Sequence, residues 1–421
     1  MYSQFSYNRT EIGRIPKEWE VKKVIELFDV ETGTTPSTKQ KEYWNEGNII
    51  WITPSDMSKL SGRIHIQDSG RKITERGLRE SNLTLLPTGA IIVSSRAPVG
   101  YIALTKREAT FNQGCKGLIP KKGNEIYSEF YAYYFLNKKI ELENLSGGST
   151  FKELSKERLE NFCVPFPPLL EQKKIAEILS TVDQGIEKVG EAIKKTQRLK
   201  NGLMQELLTK GIGHKEFKET EVGRIPKGWK VKSIMEIGTL QYGITKTGIK
   251  VNTGVKFLRI TDITDEGIKW HSVPYCELAK SELQKYELKD GDILFARIGA
   301  TTGKTCFIEK SPKSVFGSYL LRMQSLKDID TKFLYFFTQS LFYWNQVNAV
   351  KGGQLKGGLN TKLLGNIKLS IPPLSEQQRI AEILSAVDKR LELLRNRKER
   401  LERTKKGLMN DLLTGRVRVK G

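Results

Sequence analysis

The chain has 421 residues, enough for two domains with separate cores, and a formal charge of +22 from 70 Lys and Arg against 48 Asp and Glu. That charge favours a polyanionic partner. Four cysteines stand far apart with no C-x-x-C pair, and His65, His214 and His271 do not cluster, so a zinc site is not expected and reduced thiols are the default. The N-terminus has no apolar h-region, and the longest charge-free run, residues 333–350, is too polar to span a bilayer; a soluble, cytoplasmic protein is expected.

In chain order the first landmark is Thr10-Glu11-Ile12-Gly13-Arg14-Ile15-Pro16-Lys17 with Trp19, a turn leading into a strand with the Trp as anchor. Residues 48–53 read as a strand followed by a polar turn holding Asp56. Residues 89–93 read as a short buried strand that delivers Arg96 to a glycine-containing loop. An aromatic helical segment, residues 130–136, is expected in the core. Gly147-Gly148 then lead towards a proline pair.

After that pair comes a string that occurs twice. Residues 167–183 read PPLLEQKKIAEILSTVD and residues 372–388 read PPLSEQQRIAEILSAVD, identical at 13 of 17 positions. Each opens a helix of about forty residues, roughly 60 Å long. Apolar residues recur at alternating steps of four and three: Ile175, Leu179, Val182, Ile186, Val189 and Ile193 in the first copy, which loses the frame at Thr196. In the second they are Ile380, Leu384, Val387, Leu391, Leu394 and Leu401, with gaps at Lys398 and Lys405. The 3.5-residue period predicts a coiled-coil seam. The alternative is an amphipathic helix lying on its own domain.

The first landmark also returns, as Thr220-Glu221-Val222-Gly223-Arg224-Ile225-Pro226-Lys227 with Trp229. Its offset is 210 against 205 for the helices, so the second globular segment is five residues shorter. Residues 255–260 with Asp262, residues 291–295 with Arg297, aromatic residues 333–343 and Gly352-Gly353 repeat the skeleton without repeating the sequence. The predicted class is α+β: mixed α/β domains at 1–166 and 212–371, long helices at 167–211 and 372–421, and internal pseudo-twofold symmetry.

Motifs for catalysis do not hold up. The run 299–305 (GATTGKT) has three residues between its glycines where a P-loop needs four. Phe166 and Ile371 precede the proline pairs, so neither forms the Asn/Asp-Pro-Pro-aromatic motif of amino-methyltransferases. No carboxylate cluster suited to catalytic magnesium stands out.

The repeated P-P-L-x-E-Q-x-x-I-A-E-I-L-x-x-V-D strings, the G-L-M-x-x-L-L-T endings at 202 and 407, and the G-x-I-P-x-x-W entries at 13 and 223 resemble the specificity subunit of type I restriction-modification systems over nearly the whole chain. The resemblance implies two target recognition domains and two conserved helices packed antiparallel as a coiled coil. It implies a non-catalytic subunit that binds a bipartite site in double-stranded DNA, the rods setting the spacer. S-adenosylmethionine, ATP and magnesium would belong to methyltransferase and restriction subunits docked on it, and this chain would hold no cofactor or metal.

Base readout would use Arg on guanine and Asn or Gln on adenine. Candidates in the first domain are Ser94, Ser95, Arg96, Asn112 and Gln113, and in the second Arg297, Thr301, Thr302, Lys304, Ser318 and Tyr319. Two polar runs, 34–41 with Lys39 and Lys41 and 241–250 with Thr245 and Lys246, add further contacts. Two other classes stay open: a coiled-coil scaffold binding nucleic acid without sequence preference, and a self-sufficient nuclease or NTPase.

Overall fold

The computed structural model describes residues 6–123, 125–147, 153–264, 267–352 and 358–419. Gly148 and Gly353 of the two glycine pairs lie outside them. The chain forms two compact units, one of residues 1–190 with 396–421 and one of residues 191–395. Each unit holds one α/β domain, the opening turns of the long helix that follows it, and the closing turns of the other long helix.

In the first unit, strands Tyr7–Thr10 and Gly13–Pro16 form the entry hairpin. Gly13 sits at φ 106°, which a side chain would strain, and the Thr10 hydroxyl donates to its carbonyl at 2.8 Å. The main sheet runs in the order Phe28–Thr32, Cys115–Pro120, Ile91–Ser94, Ile102–Thr105, His65–Ile66. The helix Ser128–Asn137 buries Phe130, Tyr131, Tyr133, Tyr134 and Phe135 in one core with Trp19, Ile91, Val93 and Leu118.

The second unit repeats this frame. Its sheet order is Gly238–Tyr242, Leu320–Ser325, Ile293–Ala296, Thr305–Phe307. Registers match as well: Leu118 faces Val30 and Cys115 faces Ser94 in the first sheet, as Met323 faces Leu240 and Leu320 faces Ala296 in the second. The expected single aromatic helix over 333–343 is two helices, Thr331–Gln339 and Leu341–Gly352. Ser340 between them is extended, at ψ 158°, with its hydroxyl on the Phe337 carbonyl.

The long helices span Leu169–Leu207 and Leu374–Leu412. Their Glu-Gln pairs do more than open a first turn. Gln172 donates to the carbonyls of Pro167 and Glu125 and accepts from the Tyr127 N–H. Gln377 does the same with Pro372, Asp328 and Asp330. Glu171 accepts from Trp19 Nε1 at 2.9 Å, and Glu376 from Trp229 Nε1 at 3.1 Å. Each helix start is thereby fixed to its own domain.

The seam is shared between that domain and the other helix. Ile175 and Leu179 are fully buried in the first domain's core, beside Met409, Leu412 and Leu413 from the end of the second helix. Ile380 and Leu384 are buried beside Met204, Leu207 and Leu208 in the second unit. Burying each such side chain stabilises by about 1.5–3 kcal/mol. Val189 and Leu391 are also buried, while Val182, Ile186, Ile193, Val387, Leu394 and Leu401 are half-buried. Within each unit the two helices run antiparallel: Asp183 meets Lys405 and Glu171 meets Arg418 in one, Lys200 meets Asp388 in the other.

Of the two charged gaps in the seam, Lys398 pairs with Glu402 on its own helix at 3.6 Å. Lys405 is buried, donates to the Gly62 carbonyl at 2.7 Å and lies over the Tyr133 ring at 5.2 Å. Among the described residues no helix is long and apolar enough to cross a membrane.

Candidate nucleic-acid interface

Three loops leave the same end of each sheet. In the first domain the strands Phe28–Thr32 and Ile91–Ser94 finish, and Cys115–Pro120 begins, at paired positions: Thr32 faces Lys116 and Ser94 faces Cys115. Segments 33–41, 95–100 and 111–114 therefore gather there. The Gly33 N–H donates to the Cys115 carbonyl, and a Cβ at Gly33 would collide with the Asn112 carbonyl, so only glycine allows the close approach. Gly243 in the second domain packs against the Gly317 carbonyl in the same way, bringing segments 243–250, 297–304 and 317–319 together.

The candidate residues divide by exposure. Arg96 and Gln113 are exposed and Asn112 is half-buried, its Oδ1 accepting the Gly114 N–H at 2.9 Å. Ser94 and Ser95 are fully buried. The Ser94 hydroxyl donates to the Pro98 carbonyl and accepts from the Tyr101 N–H, each at 2.8 Å, which shapes the turn that carries Arg96. Lys39 and Lys41 are exposed on a segment pinned by two indoles, Trp44 Nε1 to the Ser37 carbonyl and Trp51 Nε1 to the Thr34 carbonyl.

In the second domain Tyr319 is exposed and Ser318 half-buried. Arg297 lies over the Tyr242 ring at 5.0 Å and donates from Nη1 to the Ser318 carbonyl at 3.3 Å. Thr245 and Lys246 are exposed. Lys246 reaches Glu282 at 3.1 Å, and the Ala279 N–H together with Lys246 holds that carboxyl below the usual range.

The run 299–305 is a turn between the antiparallel strands Ile293–Ala296 and Thr305–Phe307. A phosphate-binding loop opens a helix, and here the Thr302 hydroxyl closes on the Gly299 carbonyl at 2.7 Å instead. Thr302 is buried, Lys304 half-buried and Thr301 exposed.

One sequence-based pairing is corrected. Arg96 and Arg297 follow matching strands, yet they are not equivalent. Leu154 N–H donates to the Ser95 carbonyl, and Leu359 N–H to the Arg297 carbonyl, each at 2.8 Å. Ser95 is thus the counterpart of Arg297, and Ile298 that of Arg96. With a two-residue period, a shift of one turns the side chain to the opposite face.

Residues the sequence reading missed also stand near these loops. The Arg71 guanidinium lies 3.7 Å over the Trp44 ring and 5.2 Å from Trp51. Lys116 is buried, and burial lowers its pKa. Its only sequence signal is a lysine inside the otherwise apolar strand Cys115–Pro120. Glu153, which faces both Arg96 and Lys116, carries no local signal.

Two matching frames with unlike loops are thus joined by antiparallel helix segments. The family model for the type I restriction modification DNA specificity domain matches this chain at residues 16–196 and again at 226–403. The chain belongs to that specificity family. It is similar to the type I restriction enzyme MjaIX specificity subunit of Methanocaldococcus jannaschii, 31% identical over 98% of this chain and 96% of that protein. The MjaVIII specificity subunit of the same organism is 30% identical over 97% of this chain and 95% of its own length. In fold it matches the crystal structure of the type I restriction-modification S subunit from M. genitalium, with TM-score 0.61 at 16% identity over 94% of this chain and 96% of that one. The paired specificity domains are the two α/β domains described above.

Proposed function

We propose that this chain is the specificity subunit of a type I restriction-modification complex, each specificity domain reading one half of a bipartite site in double-stranded DNA. The observation that carries the reading is the repeated frame with unrepeated loops: the same sheet registers and Trp–Glu anchors end in loops of different length and chemistry. A frame kept twice with changed tips suits a protein whose halves are held alike and read different bases. A scaffold binding through counterion release alone would need the charge and not the divergence.

The chain acts without catalysing. Methyltransferase subunits carrying S-adenosylmethionine and restriction subunits using ATP and magnesium dock on it in the cytoplasm, and the long helices set the spacer. Four residues inserted into each helix, beside Gly190 and Arg395, add ~6 Å. That is about two base pairs of spacer, with both half-sites unchanged.

The test is co-expression with a methyltransferase subunit in a host free of adenine methylation, followed by mapping of modified adenines. One split motif with a constant spacer, lost when this chain is omitted, is the expected result. Modification scattered without a motif would favour the non-specific scaffold.

A further inference from the structure

Three charged side chains of the first domain meet beside the turn that follows strand Ile91–Ser94. The Lys116 ammonium lies 4.0 Å from Glu153 Oε1, and Arg96 Nε lies 3.3 Å from Glu153 Oε2. The backbones of Arg96 and Glu153 pair as an isolated antiparallel bridge, which fixes the two side chains next to each other. Lys116 has 6% of its side chain exposed, whereas Arg96 and Glu153 have 48% and 39%. A buried ammonium therefore stands behind an arginine and a carboxylate that both reach solvent.

The second domain serves as an internal control. By the matched registers, the places of Arg96, Lys116 and Glu153 are taken there by Ile298, Leu321 and Gly358. The frame closes without any of the three charges. Burying an ammonium costs free energy unless something offsets it, so the cluster is not a requirement of the fold. It lies among the loops at the candidate interface.

We propose that Arg96 and Glu153 together read one G·C pair in the half-site of the first domain, with Lys116 as the positioning residue. The inference rests on the DNA-specificity reading of the chain. In the major groove guanine offers two acceptors, N7 and O6, and its partner cytosine offers the N4 donor. A guanidinium and a carboxylate side by side present the complementary set across both bases. Alone, a carboxylate would be repelled by the phosphates. Lys116 offsets that charge from behind, leaving the three groups with a net charge of +1. Arg297 has no acid in the corresponding place and lies over Tyr242 instead, so the second domain lacks this acid-dependent discrimination.

The test is selection of a randomised duplex pool by the full-length chain assembled with its methyltransferase subunit, comparing wild type with Glu153→Ala and Lys116→Met. Glu153→Ala keeps the Cβ and removes only a partly exposed carboxylate, so the frame is expected to tolerate the first change. The wild type is expected to enrich a G·C pair in one half-site. In both variants the preference at that single position falls roughly tenfold or more, while the other positions and the second half-site stay as they were. The unchanged remaining positions of the first half-site report that the domain carrying the substitutions is folded. Three results would overturn the proposal: no G·C pair in the first half-site, an unaltered motif in Glu153→Ala, or an equal affinity change on every duplex. A wild-type pool with no enriched motif would remove the DNA-specificity reading itself, and the proposal with it.

Discussion

Asp183 holds the Lys405 ammonium at 2.6 Å, and 205 residues further on, with the roles of the helices exchanged, Asp388 holds Lys200 at the same distance. One Asp and one Lys on each copy of the repeated helix thus make two pairs when the helices run antiparallel. The pairs differ in burial: side-chain exposure is 10% and 13% for Lys405 and Asp183, but 15% and 36% for Lys200 and Asp388. Removing one member of the drier pair leaves an uncompensated charge, so Asp183→Ala is expected to destabilise by about 3 kcal/mol. Asp388→Ala removes a carboxylate that is itself partly hydrated, and costs about 1 kcal/mol or less. Denaturant unfolding of the two variants measures the difference, and equal losses would contradict it.

The Glu-Gln pairs give a second prediction. Glu171 is buried and accepts from Trp19 Nε1, Arg418 Nε at 2.6 Å and Arg418 Nη2 at 2.9 Å. Glu171→Ala strands an indole N–H and takes from Arg418 its buried carboxylate, leaving the guanidinium on the exposed Glu18 at 2.7 Å, an expected cost of about 3 kcal/mol. Glu376 accepts from Trp229 and from His214 at 2.9 Å. Its loss takes the acceptor from that indole and that imidazole with no guanidinium involved, and is expected to cost about 1–2 kcal/mol. Unfolding followed by tryptophan fluorescence ranks the two; a larger loss for Glu376→Ala would refute this account.

Much of the frame could be read from the repeats. Trp19 and Trp229, the Glu-Gln pairs and the apolar helix positions were identifiable because local pattern and tertiary role coincide there. The loops were less legible. The single five-residue difference between the halves hides two changes: between Val30 and Ile91 the first domain has eight residues more than the second has between Leu240 and Ile293, and between Ser94 and Cys115 it has three fewer than lie between Ala296 and Leu320. The strands at 89–93 and 291–295 match at an offset of 202, whereas Arg96 and Arg297 stand 201 apart and are alike only in residue type. Glu153 was missed for a different reason. Its partners lie 57 and 37 residues away in the chain, brought near by sheet pairing that no local window contains.

Glu129 makes stability depend on acid. Burial raises its pKa, but hydrogen bonds from His65 at 2.8 Å and Tyr127 at 3.0 Å outweigh that and leave it below the ordinary value. A lowered carboxyl contributes stability above the unfolded-state pKa of about 4.3, and loses it as pH falls through the folded value. Glu129→Gln is therefore expected to be less stable than wild type at pH 7, with the gap closing below about pH 4. Thermal melts at the two pH values test this. A gap that widens on acidification would reverse the assignment.

Cysteine reactivity should be graded by burial. The Cys115 and Cys306 thiols are pushed up to about 12 by burial, Cys276 is raised for the same reason, and Cys163 is raised but half-buried. The thiolate is the nucleophile, so at pH 8 Cys115 and Cys306 are expected to resist alkylation on the native chain, with Cys163 labelled first. Peptide mapping after timed iodoacetamide treatment reads the order. Early labelling of Cys115 would mean that the strand Cys115–Pro120 opens more readily than its buried core allows.

Arg297 gives the sharpest test of base readout. Its Nε is buried, with no hydrogen-bond partner among the described residues, while Nη1 rests on the Ser318 carbonyl and the Tyr242 ring lies beneath. The side chain is thus oriented before any ligand arrives, which reduces the ordering cost of binding. Arg297→Ala is expected to weaken binding to the cognate duplex by ~1–3 kcal/mol and to relax one position of the second half-site. Arg297→Lys should not restore that position, because an ammonium lacks the planar fork that spans guanine O6 and N7. Titration of cognate and random duplexes at fixed salt separates the alternatives. Equal losses on both would assign Arg297 to the phosphates, and the base contacts of the second domain would then fall to its exposed neighbours Tyr319 and Thr301.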